Sequence, residues 1–263
     1  MATVSLEYFK TIAKTVPISY YAKRAISLTV SDKESSSFYN PFKDAITLSY
    51  KAMAHMFDKM EDDSPEIEEI IRTVIYHEVS HALITPKDLM GMHCKYTLWK
   101  NAMNIIEDER IETVFRNFYL NTNFRKSIVL LNNYTGGGPD NAFNAFYYVI
   151  RFKYGKKELV YKGNKLIKKW LRMNKGTGYY ETQQYQDDTW DLVIDCAKDW
   201  YENNNLDILL AENPDYESLD ESTKRVIVEK VLIKENPEGG ASSFSIGGEG
   251  EGDGSTSSAS GDP

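Results

Sequence analysis

A predominantly helical α+β domain is predicted by three observations. Helical periodicity recurs along most of residues 1–236. A few short β-branched runs sit in the N-terminal third. Hydrophobic residues make up 41% of the 263 and charged residues 27%, a globular balance with enough chain for a sizeable core.

The elements follow in order. "SLEYFKTIAKT" (5–15) has the spacing of a short amphipathic helix, stopped before Pro17. "AISLTVS" (25–31) is apolar and β-branched and reads as a strand, in competition with a helix through Tyr20–Leu28. "SSSFYN" and "AITLSYK" are strand-like and flank a turn at Asn40-Pro41. "KAMAHMFDKM" is helical, and its His55 reads as a packed or surface histidine. The clearest helix is "SPEIEEIIRTVIYHEVSHALITP". Ser64 suits its N-cap, Pro65 its first position, and Glu66, Glu68 and Glu69 the positive end of its dipole. Pro86 marks its end. A second long helix follows in "TLWKNAMNIIEDERIETVFRNFYL".

"GGGPD" (136–140) is a loop, without the lysine and context of a phosphate-binding loop, and "NAFNAFYYVIRFKY" is helical. Residues 155–178 admit two readings, a Gly-Asn hairpin within "VYKGNKLI" or a broken helix. "TWDLVIDCAKDWYENN" and "ESTKRVIVEKVLIKE" complete the helices. From Pro237 to Pro263 the composition changes: this tail has no Lys or Arg and half of the chain's 16 glycines. Such a stretch buries too little apolar surface to offset its ordering entropy, so 237–263 is expected to be a disordered tail or linker. The domain is therefore assigned to residues 1–236.

Two cysteines, Cys94 and Cys196, give no disulfide framework, and no apolar run approaches a membrane span. The expected location is the cytoplasm, or the host cytoplasm for a phage-encoded chain, with no membrane partner. A net charge of −8 argues against nucleic acid as a partner. Residues 151–175 do hold ten basic side chains against Glu158 alone, which reads first as a face balancing acidic helices elsewhere.

The chemistry is concentrated in "YHEVSHAL" (76–83). Residues four apart share a helical face, so His77 and His81 can aim their imidazoles at one ion. A catalytic zinc takes three protein ligands and leaves a position open, and Glu78, one step round the helix, is placed as a general base. His77 and His81 continue the stripe of Ile67, Ile70, Val74 and Ile84. Two imidazoles on an apolar face are costly unless something such as a metal satisfies them.

The third ligand must come from downstream: His93, Cys94, Glu107, Asp108, Glu109 or Glu112. On a helical wheel, Met103, Ile111, Val114 and Phe118 lie within about 40° of Glu107, which centres that carboxylate on the apolar face. Asp108 falls at the margin, and Glu109 and Glu112 turn toward solvent. Glu107 is thus the predicted ligand, against the alternative that it only pairs with Arg110. His93 is the alternative ligand. Asp108 and Asn104 are predicted to accept hydrogen bonds from the outer nitrogens of the histidines.

"HEVSH" followed by "LWKNAMNIIEDERIE" resembles the gluzincin-type zinc metallopeptidases. The nearest pattern is that of metallopeptidase-like domains of phage and bacterial proteins found upstream of von Willebrand A modules and in cobaltochelatase-like subunits. The pattern is matched at His77, Glu78, His81, Asn104, Glu107, Asp108, Arg110, Ile111 and Glu112. The resemblance covers roughly residues 40–120 and implies a zincin-like core and Zn²⁺ held by His77, His81 and an acid of the second helix. It also implies Glu78 as general base, with a protein or peptide as substrate. One feature departs from it: better-known gluzincins carry an Asp four residues after the ligand Glu, whereas Glu107 is followed there by Ile111. The competing expectation is a non-catalytic zinc-binding scaffold that recruits a von Willebrand A or AAA-type ATPase partner.

Overall fold

The computed structural model describes residues 4–57, 65–86, 97–119, 138–173, 177 and 179–236. Ser64, His93, Cys94 and the tail 237–263 lie outside the described residues, as does the side chain of His55. The chain is predominantly helical with one small sheet.

Helix α1 (Leu6–Thr15) starts where the Ser5 side chain accepts the Tyr8 amide, and Pro17 follows its end. A five-residue helix, α2 (Ile18–Ala22), precedes strand β1 (Ser27–Ser31), so strand and helix divide the segment in which they compete. Strands β2 (Phe38–Asn40) and β3 (Ala45–Ser49) pair antiparallel around the turn at Pro41, while β1 pairs parallel with β3, giving the order β1-β3-β2. In β3, Ile46 and Leu48 are buried while Ala45 and Thr47 are half-buried, the period-2 pattern of a sheet packed on one face. Ser49 ends the strand because its hydroxyl accepts the Ala52 amide, capping helix α3 (Tyr50–Phe57).

Helix α4 (Pro65–Ile84) carries the histidine pair, and helix α5 (Thr97–Tyr119) packs against it. Beyond them lie α6 (Ala142–Phe152), α7 (Lys157–Trp170), α8 (Tyr179–Asn204), α9 (Leu206–Glu212) and α10 (Glu221–Glu235). Residues 157–170 are one helix, not a hairpin. Gly163 is accommodated there because a side chain would press on Val149 and Ile150 of α6 at 3.2 Å, so its absence lets the two helices approach closely.

Two apolar cores result. The first joins α1, the sheet, α3 and α4 through Phe9, Ile46, Leu48, Ile70, Ile71 and Val79, and includes Phe115 of α5. The second is the helical bundle centred on α8, which Leu98, Met103 and Ile106 of α5 enter. α5 is therefore shared between the cores and is buried on almost every side from Ala102 to Glu112. No helix among the described residues is long and apolar enough to cross a membrane.

The basic segment also resolves. Arg151 pairs with Glu109 and Glu112, Lys153 with Glu109, Lys156 with Asp199, Lys162 with Asp195 and Lys169 with Asp188. Half of its ten cations thus balance carboxylates of α5 and α8.

Candidate metal centre

α4 presents His77 and His81 on the side that meets α5, and the residue opposite them is Asp108. The His77 and His81 Nε2 atoms lie 3.2 Å apart, and Asp108 Oδ1 lies 3.5 Å from the first and 3.3 Å from the second. A tetrahedral ion with bonds of about 2.0–2.1 Å spaces its ligand atoms about 3.3–3.4 Å apart. The three atoms therefore form one face of such a tetrahedron, and the group could hold a metal ion.

Each imidazole is set for this role by its outer nitrogen. His77 Nδ1 lies 3.1 Å from Glu112 Oε1. An ionised carboxylate only accepts, so Nδ1 carries a proton, and Nε2 is the nitrogen that a metal would take from the neutral ring. His81 Nδ1 lies 2.9 Å from the Thr85 hydroxyl, which donates to Glu107 Oε1 at 2.6 Å. Thr85 has one proton and has spent it on Glu107, so it accepts from His81 Nδ1–H. Both Nε2 atoms consequently face the common point and would serve as acceptors for a metal there.

The relays are anchored. Glu112 also accepts from Arg151 Nη2 at 2.8 Å. Glu107 is gripped by Arg110 through Nε and Nη2, both at 2.6 Å. Arg110, 1% exposed, further donates to the carbonyls of Ile84 and Met173, tying the end of α4 and the turn after α7 to α5.

Glu78 is 1% exposed and its Oε1 accepts no hydrogen bond. A buried carboxylate oxygen without a partner is costly and calls for a group that is not protein. Burial pushes its carboxyl up to about 7, against the pull of His77 and His81.

Charge favours a cation at this point. Five buried or half-buried carboxylates (Glu78, Glu107, Asp108, Glu109 and Glu112) face three cations, Arg110, Arg151 and Lys153. One divalent ion cancels the two remaining negative charges. Protons do so in its absence. Burial opposes an imidazolium at His77, yet Asp108 and Glu112 outweigh it and raise its pKa well above the usual value. Burial likewise works to raise the Asp108 pKa, but His77 and His81 hold that carboxyl well below the carboxylate range.

Three sequence expectations change. The carboxylate that joins the histidines is Asp108, not Glu107: Glu107 is committed to Arg110 and Thr85, the pairing alternative in extended form. Asp108 faces the inner nitrogens, not the outer ones, and no hydrogen bond among those described joins half-buried Asn104 to either histidine. Glu109 and Glu112 are buried, 4% and 6% exposed, not solvent-facing. The wheel assumed one apolar face, whereas α5 is enclosed by α4, α6, α7 and α8. His93 lies outside the described residues. Thr85 and Arg151 had no signal in the sequence. Glu112 had one: it lies four residues after Asp108, so the two share a helical face.

Outer partners tune metal affinity, so Glu112→Gln is expected to weaken metal binding by about 10–100-fold without unfolding the protein. Competitive titration against a chromogenic chelator reads the change. Compared with protein-family models, curated proteins and solved structures, the chain matches none.

Proposed function

We propose that the protein is a zinc-dependent peptidase of gluzincin type, acting in the cytoplasm. The observation that carries this reading is the convergence of two imidazole Nε2 atoms and Asp108 Oδ1 at tetrahedral spacing, beside an unpartnered Glu78 oxygen. Two imidazoles, one carboxylate and an open position are a donor set that suits zinc in catalytic sites. The four-residue spacing of ligand and outer-shell acid also supports it. With Asp108 as the ligand, the acid four residues on is Glu112, which bonds His77.

His77, His81 and Asp108 would hold the ion. When bound, zinc supplies a Lewis acid that polarises a carbonyl and acidifies water. Glu112 and Thr85 keep the two imidazoles in the ligating tautomer. Glu78 takes the proton of the attacking water on its free oxygen and returns it to the nitrogen of the departing amine. A carboxyl whose pKa lies near 7 is matched to both transfers. The low exposure of the cluster keeps bulk water away from that proton.

The test is Glu78→Gln. This variant removes the proton carrier and leaves the three ligand atoms in place. Zinc stoichiometry is expected to stay at wild-type level, while hydrolysis of a quenched peptide library falls by at least about 100-fold. Hydrolysis that survives the change, with zinc still bound, removes Glu78 from the role.

A further inference from the structure

A groove of about 640 Å³ runs between α7 and α8, and no residue of the metal centre lines it. Its floor holds Leu166 and Leu192. On α7, Lys162, Lys165, Lys168 and Lys169 recur at steps of three and four, which puts them on one side of the helix. Arg172 extends the row into the turn that follows. Asp188, Asp191 and Asp195 of α8 line the same groove.

Each of these carboxylates already holds a cation. Asp188 binds Lys169, Asp191 binds Arg225 of α10 at 2.9 Å, and Asp195 binds both Lys162, at 2.9 Å, and Arg225. Lys165, Lys168 and Arg172 are exposed and form no ion pair among the described residues. A lone surface cation is ordinary and needs no partner. What sets these three apart is that they share one groove with an apolar floor, where the charge left over is positive.

The occupant that fits is an extended peptide with carboxylate side chains. Alternate side chains of an extended chain lie about 6.6 Å apart. Residues three or four apart on a helix rise by about 4.5–6 Å, so successive carboxylates can meet successive cations. A carboxylate that holds one cation keeps lone pairs for the amides of a peptide backbone, a role open to Asp188 and Asp191. A nucleic acid fits less well. Its unbroken row of phosphates would lie against the three aspartates, and its backbone has no amide to offer them.

The groove also leads toward the helix that carries the metal ligand. It ends at Arg172, one residue before Met173, whose carbonyl accepts from Arg110 Nη1 at 3.2 Å. Arg110 lies two residues after Asp108 on α5. We propose that the α7–α8 groove binds an acidic segment of the peptide substrate, remote from the bond that is cut. The proposal rests on the peptidase reading and adds a substrate class to it, peptides whose carboxylates lie several residues from the scissile bond.

Fluorescence anisotropy tests it with a labelled peptide of about twelve residues that carries Glu at alternate positions, and with its Gln counterpart. The zinc-loaded Glu78→Gln protein keeps the probe intact. It is expected to bind the Glu peptide at least about tenfold more tightly than the Gln peptide, since three exposed pairs each contribute modestly. The advantage should shrink as salt rises from about 0.05 to 0.5 M. Adding Lys165→Glu and Lys168→Glu together should abolish it, with zinc stoichiometry unchanged. Both positions are exposed and helical, and glutamate suits a helix about as well as lysine. Lys165→Gln with Lys168→Gln, the milder pair, should remove most of it. In otherwise wild-type enzyme, the charge-reversed pair should lower kcat/KM for acidic peptides about tenfold and leave uncharged peptides unaffected. Equal affinity for the Glu and Gln peptides overturns the proposal, as does a Glu preference that survives both substitutions. Tighter binding of an oligothymidylate of the same length also overturns it. If the wild-type protein hydrolyses nothing, the peptidase reading falls, while the anisotropy result still decides whether the groove takes an acidic peptide.

Discussion

Asp108→Ala is expected to abolish stoichiometric zinc binding, whereas Glu107→Gln leaves the ion bound and weakens it. The two acids are neighbours on one helix and do different work. Asp108 contributes an oxygen 3.3–3.5 Å from both Nε2 atoms, so its removal deletes one of three ligands. The affinity loss should exceed the roughly 100-fold that an outer-shell partner can cost. Glu107 reaches the centre only through Thr85 and His81. Its amide analogue can still accept from Thr85, so the expected loss is about tenfold. Isothermal titration of zinc into the chelator-stripped variants measures both. Equal losses in the two variants would mean that Glu107 ligates the ion directly.

Arg110→Ala is expected to be the most destabilising single change in the chain. Its guanidinium is 1% exposed and serves Glu107, the Ile84 carbonyl and the Met173 carbonyl together. Truncation leaves a buried carboxylate and two carbonyls without their donor, a loss of about 3–5 kcal/mol. For a chain of this size that lowers the melting temperature by roughly 10 °C or more. Double replacement with Glu107→Gln should recover part of the loss, because it removes the stranded charge. Calorimetry of the metal-free proteins separates this effect from metal binding. A melting temperature within about 2 °C of wild type would show that Arg110 is not the tie between α4, α5 and α7.

How far the site was legible depends on the surroundings of each helix. α4 is enclosed as well, with no exposed residue from Glu66 to Ile84, but its signals are local. Its apolar spacing, Pro65 and Pro86 define it, and the four-residue step of His77 and His81 places them together whatever the tertiary context. The strands were legible for the same reason, since Ile46 and Leu48 alternate with half-buried neighbours. α5 was not. It carries charged residues at 107–110 and 112, and all but Asp108 of these are buried because α6, α7 and α8 close over the side that a wheel assigns to water. The choice between Glu107 and Asp108 turns on which of them Arg110 neutralises. That contact is local in sequence, but its burial is set by Met173, 63 residues on. Thr85 was invisible because it follows the end of α4, where a threonine before proline reads only as a stop signal. Arg151 was submerged in a run of ten basic residues, and only packing shows that it faces inward.

The measurement that tests the central claim most directly is a crystal structure of the zinc-loaded protein with data collected on both sides of the zinc absorption edge. One anomalous peak is expected within bonding distance of His77 Nε2, His81 Nε2 and an Asp108 oxygen, with a fourth position open toward Glu78. A peak ligated by Glu107 or His93 in place of Asp108, or no peak between α4 and α5, would contradict the account.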